Sequence, residues 1–435
     1  MRKKKVLVHG TLESLNKFFS DAVSRDYEIV ALLSDEPEKI SITTRNRKLD
    51  ILKPQELPIF VDRLVDGIIL TADKSVTDFF LRRGIHPTKI IFWDAAQGWT
   101  FFALKDNQGT QVIFFCGLEF HIRSDEDRKL FNKTVQRLGT QRQYKNINPQ
   151  YYPSILLQQY QRRTGKTFDF NNPKTFTEKL QWMKLFDATP IKSRLADKYL
   201  VRQWVADKIG QEYLIPLLGV WDNFDDIDFD ELPNQFVLKC NHGSGMNIIV
   251  RDKKTFDIQR SREKINAWLA TDFAALFLEM HYTRIKRKII AEKFMANSDL
   301  TDINNYKFWC FNGKPILCAF VSGRSDDGDL SNVRISFFDM NWKPTEVERS
   351  DHPRSEHPEK IPRPKNFELM KRLAVKLAEG FAHVRVDFYE IDGKVYFGEM
   401  TFTPGAGNFS YKSKGTDEYL GDILKLPEAS PIPTL

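Results

Sequence analysis

The pattern of apolar and polar positions gives the chain two textures. In the first third, short apolar runs alternate with helical stretches such as "LESLNKFFSDAV" (12–23). The runs are "KVLVHG" (5–10), "EIVALLSD" (28–35), "DGIILTAD" (66–73), "KIIFWD" (89–94) and "QVIFFCG" (111–117). Strands that end in Gly or Asp and feed helices predict a parallel sheet, so residues 1–125 are expected to form a Rossmann-like α/β domain. Residues 126–150 are charged and helical, then polar, and read as a connector. From about 151 the helices lengthen, as in "TFTEKLQWMKLFDA" (175–188) and "SRLADKYLVRQWVADKIG" (193–210). A hairpin (about 234–252), a charged helical region (259–285), β-rich stretches (289–321, 333–340), a helix (366–380) and a last hairpin (384–402) follow. An α+β region is therefore expected over 151–425, with an irregular, proline-bearing tail at 426–435.

Composition narrows the function. A chain of 435 residues needs more than one domain. Its net charge of +7, mixed in sign, suits anionic small molecules such as nucleotides and lacks the clustering of a nucleic-acid binder. The four cysteines, Cys116, Cys240, Cys310 and Cys318, stand singly in apolar surroundings without a CxxC pair, as reduced thiols of a cytoplasmic protein do. The basic start "MRKKKVLVHG" carries only a strand-length apolar run, unlike a signal peptide, and no stretch approaches the length of a membrane span. A dinucleotide fingerprint would need G-x-G-x-x-G after the first strand. Only "HGTLES" stands there, with the single Gly10, although Asp35 lies where a ribose acceptor would, so NAD(P) is not expected.

The first piece of chemistry is "FVLKCNHGSGMNIIV" (236–250). Lys239 leaves a strand beside a loop in which Gly243 and Gly245 allow φ > 0 and bare backbone N–H groups. Such a hairpin can close over a polyphosphate as a lid; an ordinary surface turn with a snorkelling lysine has the same pattern.

The second piece is "HVRVDFYEIDGKVYFGEMTFTPGAG" (383–407), two strands around Asp392–Gly393. Val384, Val386 and Phe388 alternate with Arg385 and Asp387, and Met400 and Phe402 with Glu399 and Thr401. If the apolar sets share a face, Asp387 and Glu399 meet on the other, beside Arg385 and Thr401. That pairing requires an odd loop or a bulge, because a strict two-residue turn would set Asp387 against Gly398. Two converging carboxylates repel unless a cation sits between them, and Mg²⁺, a hard oxygen-seeking ion, suits the place. A third piece, "KIIAEKFM" (288–295), interrupts a buried-looking strand with Glu292, and nearby strands carry Lys307, Arg324 and Arg334. Those cations suit a phosphoryl group in transfer.

In order, Lys198 in "ADKYLVR", Lys239, Glu292 in "IIAEKFM", Asp387 in "VRVDF" and Glu399 before "TFTPGAG" resemble an ATP-grasp enzyme. The stretch "FTEKLQWMKLFD…ADKYLVR…LIPLLGVWDNFDDIDFDELPNQFVLKCNHGSG" is similar to the TupA-like branch, named for teichuronopeptide biosynthesis. The likeness covers roughly residues 150–410. It implies ATP between two α+β subdomains, its phosphates on Lys198 and Lys239 under a loop containing His242, Gly243, Ser244 and Gly245. It further implies adenine and ribose at Glu292 and the backbone of Lys293 and Phe294, Mg²⁺ on Asp387, Glu399 and Thr401, and Arg385 on the transferred phosphoryl group. Where many such enzymes have a metal-binding Asn two residues after the Glu, this chain has Thr401. The resemblance implies a ligase that joins a small-molecule or saccharide carboxylate to an amine. A hydroxyl-directed kinase and a non-catalytic nucleotide-binding module are the alternatives, and the oligomeric state is not legible.

Overall fold

The computed structural model describes residues 110–116, 118–145, 147–298, 303–323 and 332–435. Before residue 110 it describes Leu15 and the strands Lys4–His9, Tyr27–Leu33, Thr43–Thr44, Arg47–Lys48, Ile51–Leu52, Gly67–Leu70, Ile90–Phe92 and Phe101–Lys105. The chain divides into two compact units, Met1–Lys133 and Thr134–Leu435.

The first unit holds a five-stranded parallel sheet in the order Ile51–Leu52, Tyr27–Leu33, Lys4–His9, Gly67–Leu70, Ile90–Phe92. Four of the five predicted apolar runs lie in it. The fifth, 111–117, does not: Gln111–Phe115 pairs antiparallel with Phe101–Lys105 and Leu118–Ile122 in a separate three-stranded sheet. Cys116, exposed and at φ 51°, turns the chain straight back, which a parallel neighbour cannot follow. Gly10 and Asp35 lie outside the described residues, and of the helix expected at 12–23 only Leu15 is described, helical and buried. A helix spans Asp125–Lys145, most of the expected connector.

In the second unit the helices, numbered here, are α1 (Tyr152–Thr164), α2 (Phe176–Phe186), α3 (Pro190–Ala196), α4 (Val201–Lys208), α5 (Ile258–Ala270), α6 (Phe273–Phe277), α7 (Phe367–Ala378) and α8 (Thr416–Ile423). The strands are β1 (Leu217–Trp221), β2 (Phe236–Cys240), β3 (Asn247–Val250), β4 (Ile289–Lys293), β5 (Asn304–Phe311), β6 (Lys314–Ser322), β7 (Arg334–Phe338), β8 (His383–Ile391) and β9 (Lys394–Thr401). They form two antiparallel sheets, β1-β4-β2-β3 and β7-β6-β5-β8-β9.

Alternation decides what each sheet buries. In the smaller one Phe236, Leu238, Cys240, Ile289 and Ala291 pack with Ile265 of α5 and Phe273, which leaves Lys239 and Glu292 on the other face. In the larger one Phe308, Val384, Val386 and Phe388 pack against Phe367, Met370 and Leu377 of α7. The opposite face begins as core, with Trp309, Phe311 and Phe337 on Phe176, Leu180 and Met183 of α2. It then turns polar at Arg385, Lys307 and Asp387. Helix α2 starts in a capping box between Thr175 and Glu178, and Asp417 of α8 accepts from the Thr177 N–H (2.9 Å) and hydroxyl (2.7 Å). The turns Asn312–Gly313 and Asp392–Gly393 have both residues left-handed, at φ 49° and 79° and at 48° and 72°, as two-residue hairpin loops require.

Two further expectations change. The single helix predicted over 193–210 is two, α3 and α4. The buried Asp197 carboxylate accepts from the N–H groups of Tyr199 (2.8 Å) and Leu200 (3.2 Å) and caps a break that sequence propensity does not mark. Helix α8 was not expected. The tail is irregular, as predicted, but anchored: the Ser430 N–H donates to the Phe186 carbonyl at 2.7 Å, and Ile432 and Leu435 pack beside Tyr152 and Leu156. All four cysteines are free, and Cys240, Cys310 and Cys318 are buried.

Candidate active site

The bulge foreseen in the last hairpin is present. Asp387 pairs with Glu399 and Phe388 with Phe397, so Gly398 is the extra residue. A Cβ on Gly398 would stand 3.1 Å from the Asp387 carbonyl oxygen and 3.1 Å from the Tyr389 ring, so the crossing favours glycine. Arg385, two residues before Asp387, donates from Nε to Asp387 Oδ1 (2.7 Å) and from Nη2 to Asp387 Oδ2 (2.8 Å) and Glu399 Oε1 (2.7 Å). Lys307, directly opposite Asp387 on β5, forms an ion pair with Oδ2. Thr401 faces Arg385 across the ladder and donates its hydroxyl to Glu399 Oε1 at 3.3 Å. Burial alone would lower the Arg385 pKa, but Asp387 and Glu399 hold it above its ordinary value.

The second cluster lies on the face of the smaller sheet opposite Ile265 and Phe273. Lys239 donates to Glu292 Oε2 at 2.6 Å from the adjacent strand. Arg202, at the start of α4, donates from Nη1 to Glu292 Oε1 (2.9 Å) and from Nη2 to the Ile215 carbonyl (2.7 Å). Burial pulls the Lys239 pKa down, but Glu292 above all carries it higher than an ordinary lysine.

Lys198 links loop and hairpin. Its Nζ donates to the Gly243 carbonyl at 2.5 Å and stands 4.0 Å from Glu399 Oε2. Burial, reinforced by the like charge of Lys239, lowers its pKa, and Glu399 opposes the shift. The loop from Asn241 to Met246 is fixed at its base: Asn241 Oδ1 accepts from the Lys288 N–H (2.7 Å), and the Cys240 N–H reaches the Met246 carbonyl (3.0 Å). Its tip, Ser244 and Gly245, is exposed.

Several predicted positions are placed differently. The His242 ring is buried, with Nε2 3.1 Å from the Trp268 carbonyl, and burial pushes its pKa down to about 4; it faces α5. Of the two loop glycines only Gly245 has positive φ (69°). Gly243 is needed for space, since a Cβ there would lie 2.7 Å from the Phe273 ring. Arg334 is three positions from Phe337, which shares the face of Lys307 and Asp387, so it projects from the opposite face and does not join the cluster. Arg324 lies outside the described residues. The Lys293 N–H is engaged by the Pro216 carbonyl at 2.9 Å, and the guanidinium of Arg251 lies 5.0 Å from the centroid of the Phe294 ring. Sequence reasoning missed Arg202. The signal was in "ADKYLVR", where Lys198 and Arg202 stand four residues apart.

Together Lys198, Arg202, Lys239, Lys307 and Arg385 face Glu292, Asp387 and Glu399, five cations to three carboxylates. The surplus of positive charge suits a polyphosphate. Among the described residues no group of three or more His, Cys, Asp or Glu could hold a metal. The Asp387–Glu399 pair with the Thr401 hydroxyl is an all-oxygen set. It fits Mg²⁺, which is usually bound by one or two carboxylates and shared with phosphates, and does not fit a soft metal.

A family model described as TupA-like ATPgrasp matches residues 178–425, more than half of the chain. The chain belongs to the TupA-like ATP-grasp family. No curated protein matches it. Among solved structures, this TupA-like chain is similar to D-alanine–D-alanine ligase of Helicobacter pylori, at 19% identity and a TM-score of 0.28, over 53% of this chain and 61% of that one. It is also similar to the Bacillus anthracis D-alanine–D-alanine ligase complexed with ATP, at 12% identity and a TM-score of 0.31, over 97% and 96% of the two chains. A third is phosphoribosylamine–glycine ligase of Thermotoga maritima, at 10% identity and a TM-score of 0.31, over 93% and 70%. At these scores the likenesses add nothing to the TupA-like assignment. No helix among the described residues is long and apolar enough to cross a membrane.

Proposed function

We propose that the chain is an ADP-forming, ATP-dependent carboxylate–amine ligase. The observation that carries this reading is the alignment of Asp387 with Glu399, held by Arg385 and Lys307 and joined through Lys198 to the Gly243 loop. In this reading Lys198 and Lys239 bind the phosphates, the exposed loop tip covers them, and Glu292 with the backbone around Lys293 and Phe294 receives adenine and ribose. Asp387 and Glu399, with Thr401 at the edge, would hold Mg²⁺. When bound, the ion supplies charge neutralisation to phosphate oxygens.

The reaction asks the protein mainly for positioning and fixed positive charge. A carboxylate oxygen of the acceptor attacks the γ-phosphorus and ADP leaves. The amine attacks the acyl carbon of the resulting acyl phosphate, loses a proton, and inorganic phosphate departs with one acceptor oxygen. In this reading Arg385 stabilises the negative charge that accumulates in both steps, and its raised pKa keeps it charged throughout. Arg202 and Lys307 keep Glu292 and Asp387 in place.

The family's naming for teichuronopeptide biosynthesis supports a uronic-acid-type carboxylate in cell-surface polysaccharide or glycoconjugate synthesis, in the cytoplasm. The organisation that accompanies this reading is a Rossmann-like domain over 1–125, a connector over 126–150, the catalytic region over 151–425 and a tail over 426–435. The first is supported by the parallel sheet, whose strands run 3-2-1-4-5 in chain order.

The test is ADP release across uronic acids crossed with amines, then ¹⁸O in the acceptor carboxylate. Inorganic phosphate carrying one heavy oxygen, made only when both substrates are present, is the expected product. A stable phosphate ester would replace the ligase with a kinase, and no turnover with any pair would leave a nucleotide-binding module.

A further inference from the structure

Glu292 accepts from two cations at once, one on each oxygen: Lys239 on Oε2 at 2.6 Å and Arg202 on Oε1 at 2.9 Å. The two are not equivalent. Arg202 is fixed by a second bond, to the Ile215 carbonyl at 2.7 Å, and its side chain is 15% exposed. Lys239 is more open, at 23%, and stands beside the glycine-bearing loop. Glu292 itself is 10% exposed, too buried to stand alone as a carboxylate without a large cost.

We propose that Arg202 is a positioning residue for nucleotide binding: it holds Glu292 neutralised, so that Lys239 can exchange that carboxylate for a phosphate. This rests on the ATP-binding reading above and adds a residue and a partner exchange to it. Lys239 has a single positive charge, which Glu292 already balances, so it attracts phosphate fully only as its hold on Glu292 weakens. With Arg202 in place, Glu292 keeps a charge-assisted hydrogen bond at Oε1 when Lys239 moves. Without Arg202, Lys239 is the carboxylate's remaining ion-pair partner among the described residues, and phosphate must compete with Glu292 for it.

The exchange makes Arg202 act through Glu292 rather than on the ligand, and a double-mutant cycle reads that directly. The probes are the non-hydrolysable analogue AMPPNP and inorganic tripolyphosphate, each with Mg²⁺, titrated calorimetrically into the full chain. Arg202→Met should weaken both by about tenfold or more, and Arg202→Lys should recover most of the loss. In the Glu292→Gln background, where no carboxylate competes, Arg202→Met should change tripolyphosphate affinity by less than about twofold. Thermal melting of each variant separates binding from folding. If Arg202→Met does not fold, Arg202→Gln with and without Glu292→Gln gives the same comparison.

Undiminished binding in folded Arg202→Met overturns the proposal. So does a loss of equal size in the Glu292→Gln background, which would mean that Arg202 meets the phosphate itself. A wild-type chain that binds neither probe would remove the ATP reading and this inference with it, a result distinct from both.

Discussion

Asp387 and Glu399 face each other across the β8–β9 ladder at different depths, with side chains 2% and 31% exposed. The same chemical change should therefore have two outcomes. Asp387→Asn strips Lys307 and Arg385 of a buried counter-charge and should cost about 3–5 kcal/mol of stability. Glu399→Gln, nearer solvent, should cost no more than about 1 kcal/mol. Each should lower ADP release by on the order of a hundredfold or more. Urea unfolding beside a turnover assay checks both, and equal destabilisation would contradict the difference in depth.

The bulge gives a second prediction. Gly398→Val places a branched side chain against the Asp387 carbonyl and the Tyr389 ring, where even a Cβ has only 3.1 Å. The ladder must shift, at a cost of about 1–3 kcal/mol. Turnover should fall further than AMPPNP affinity, because the disturbed groups are Asp387 and Glu399 rather than Glu292. Turnover preserved at the wild-type level would mean that the carboxylate alignment is not required.

The loop glycines should fail for different reasons. Gly245 is left-handed with open space around it, so Gly245→Ala should cost about 1 kcal/mol of backbone strain and little else. Gly243→Ala meets Phe273 and Met246, and should displace the loop base that carries the carbonyl bound by Lys198. Turnover should drop more in Gly243→Ala than in Gly245→Ala. The reverse order would show that the exposed tip, not the base, governs closure.

Acid should destabilise the fold through histidines kept neutral. His383 lies among the rings of Phe176, Phe311 and Trp309, and burial, aided by Lys192, lowers its pKa to about 3. Burial does the same to His281, to about 3, and to His242, to about 4. A folded-state pKa below the unfolded value of about 6.5 gives stability that is full above that pH and lost as pH falls toward the folded pKa. Each histidine removes about 1.4 kcal/mol per pH unit within its window. Asp187, Asp197 and Asp417, whose pKa values burial raises, oppose this slope. His383→Leu isolates the effect: between pH 6 and 4 (a window of about two units), urea midpoints should fall less steeply than in the wild type. Parallel slopes would mean that His383 titrates normally.

What the sequence made legible follows from local rules. Alternation over 383–402 offered Asp387 and Glu399 as partners, given either an odd loop or a bulge, because a two-residue periodicity fixes faces without knowledge of the rest of the fold; the register decides for the bulge. The strand at Lys239 was legible for the same reason. The break at Asp197 was not, because its cap is a buried side chain within a stretch of good helix formers. Arg334 was misplaced because its face depends on how β5, β6 and β7 register with one another. His242 looked like a loop ligand, yet it is an inward residue whose partner lies on α5. The 111–117 run carried a strand's composition and nothing about the direction of its neighbours.

The cap that Asp417 provides to Thr177 spans 240 positions of sequence. Helix α2, which packs on the apolar end of one face of the larger sheet, thus leaves the ribosome long before the carboxylate that completes its first turn. At about 5–20 residues per second, that interval is on the order of ten to fifty seconds. The apolar cover of Phe176, Leu180 and Met183 is also distant in sequence: Trp309 and Phe311 come from β5, and Leu420 from α8. Contacts this distant in sequence must close long loops before they stabilise anything, so slow refolding of the second unit after dilution from denaturant is the expected outcome.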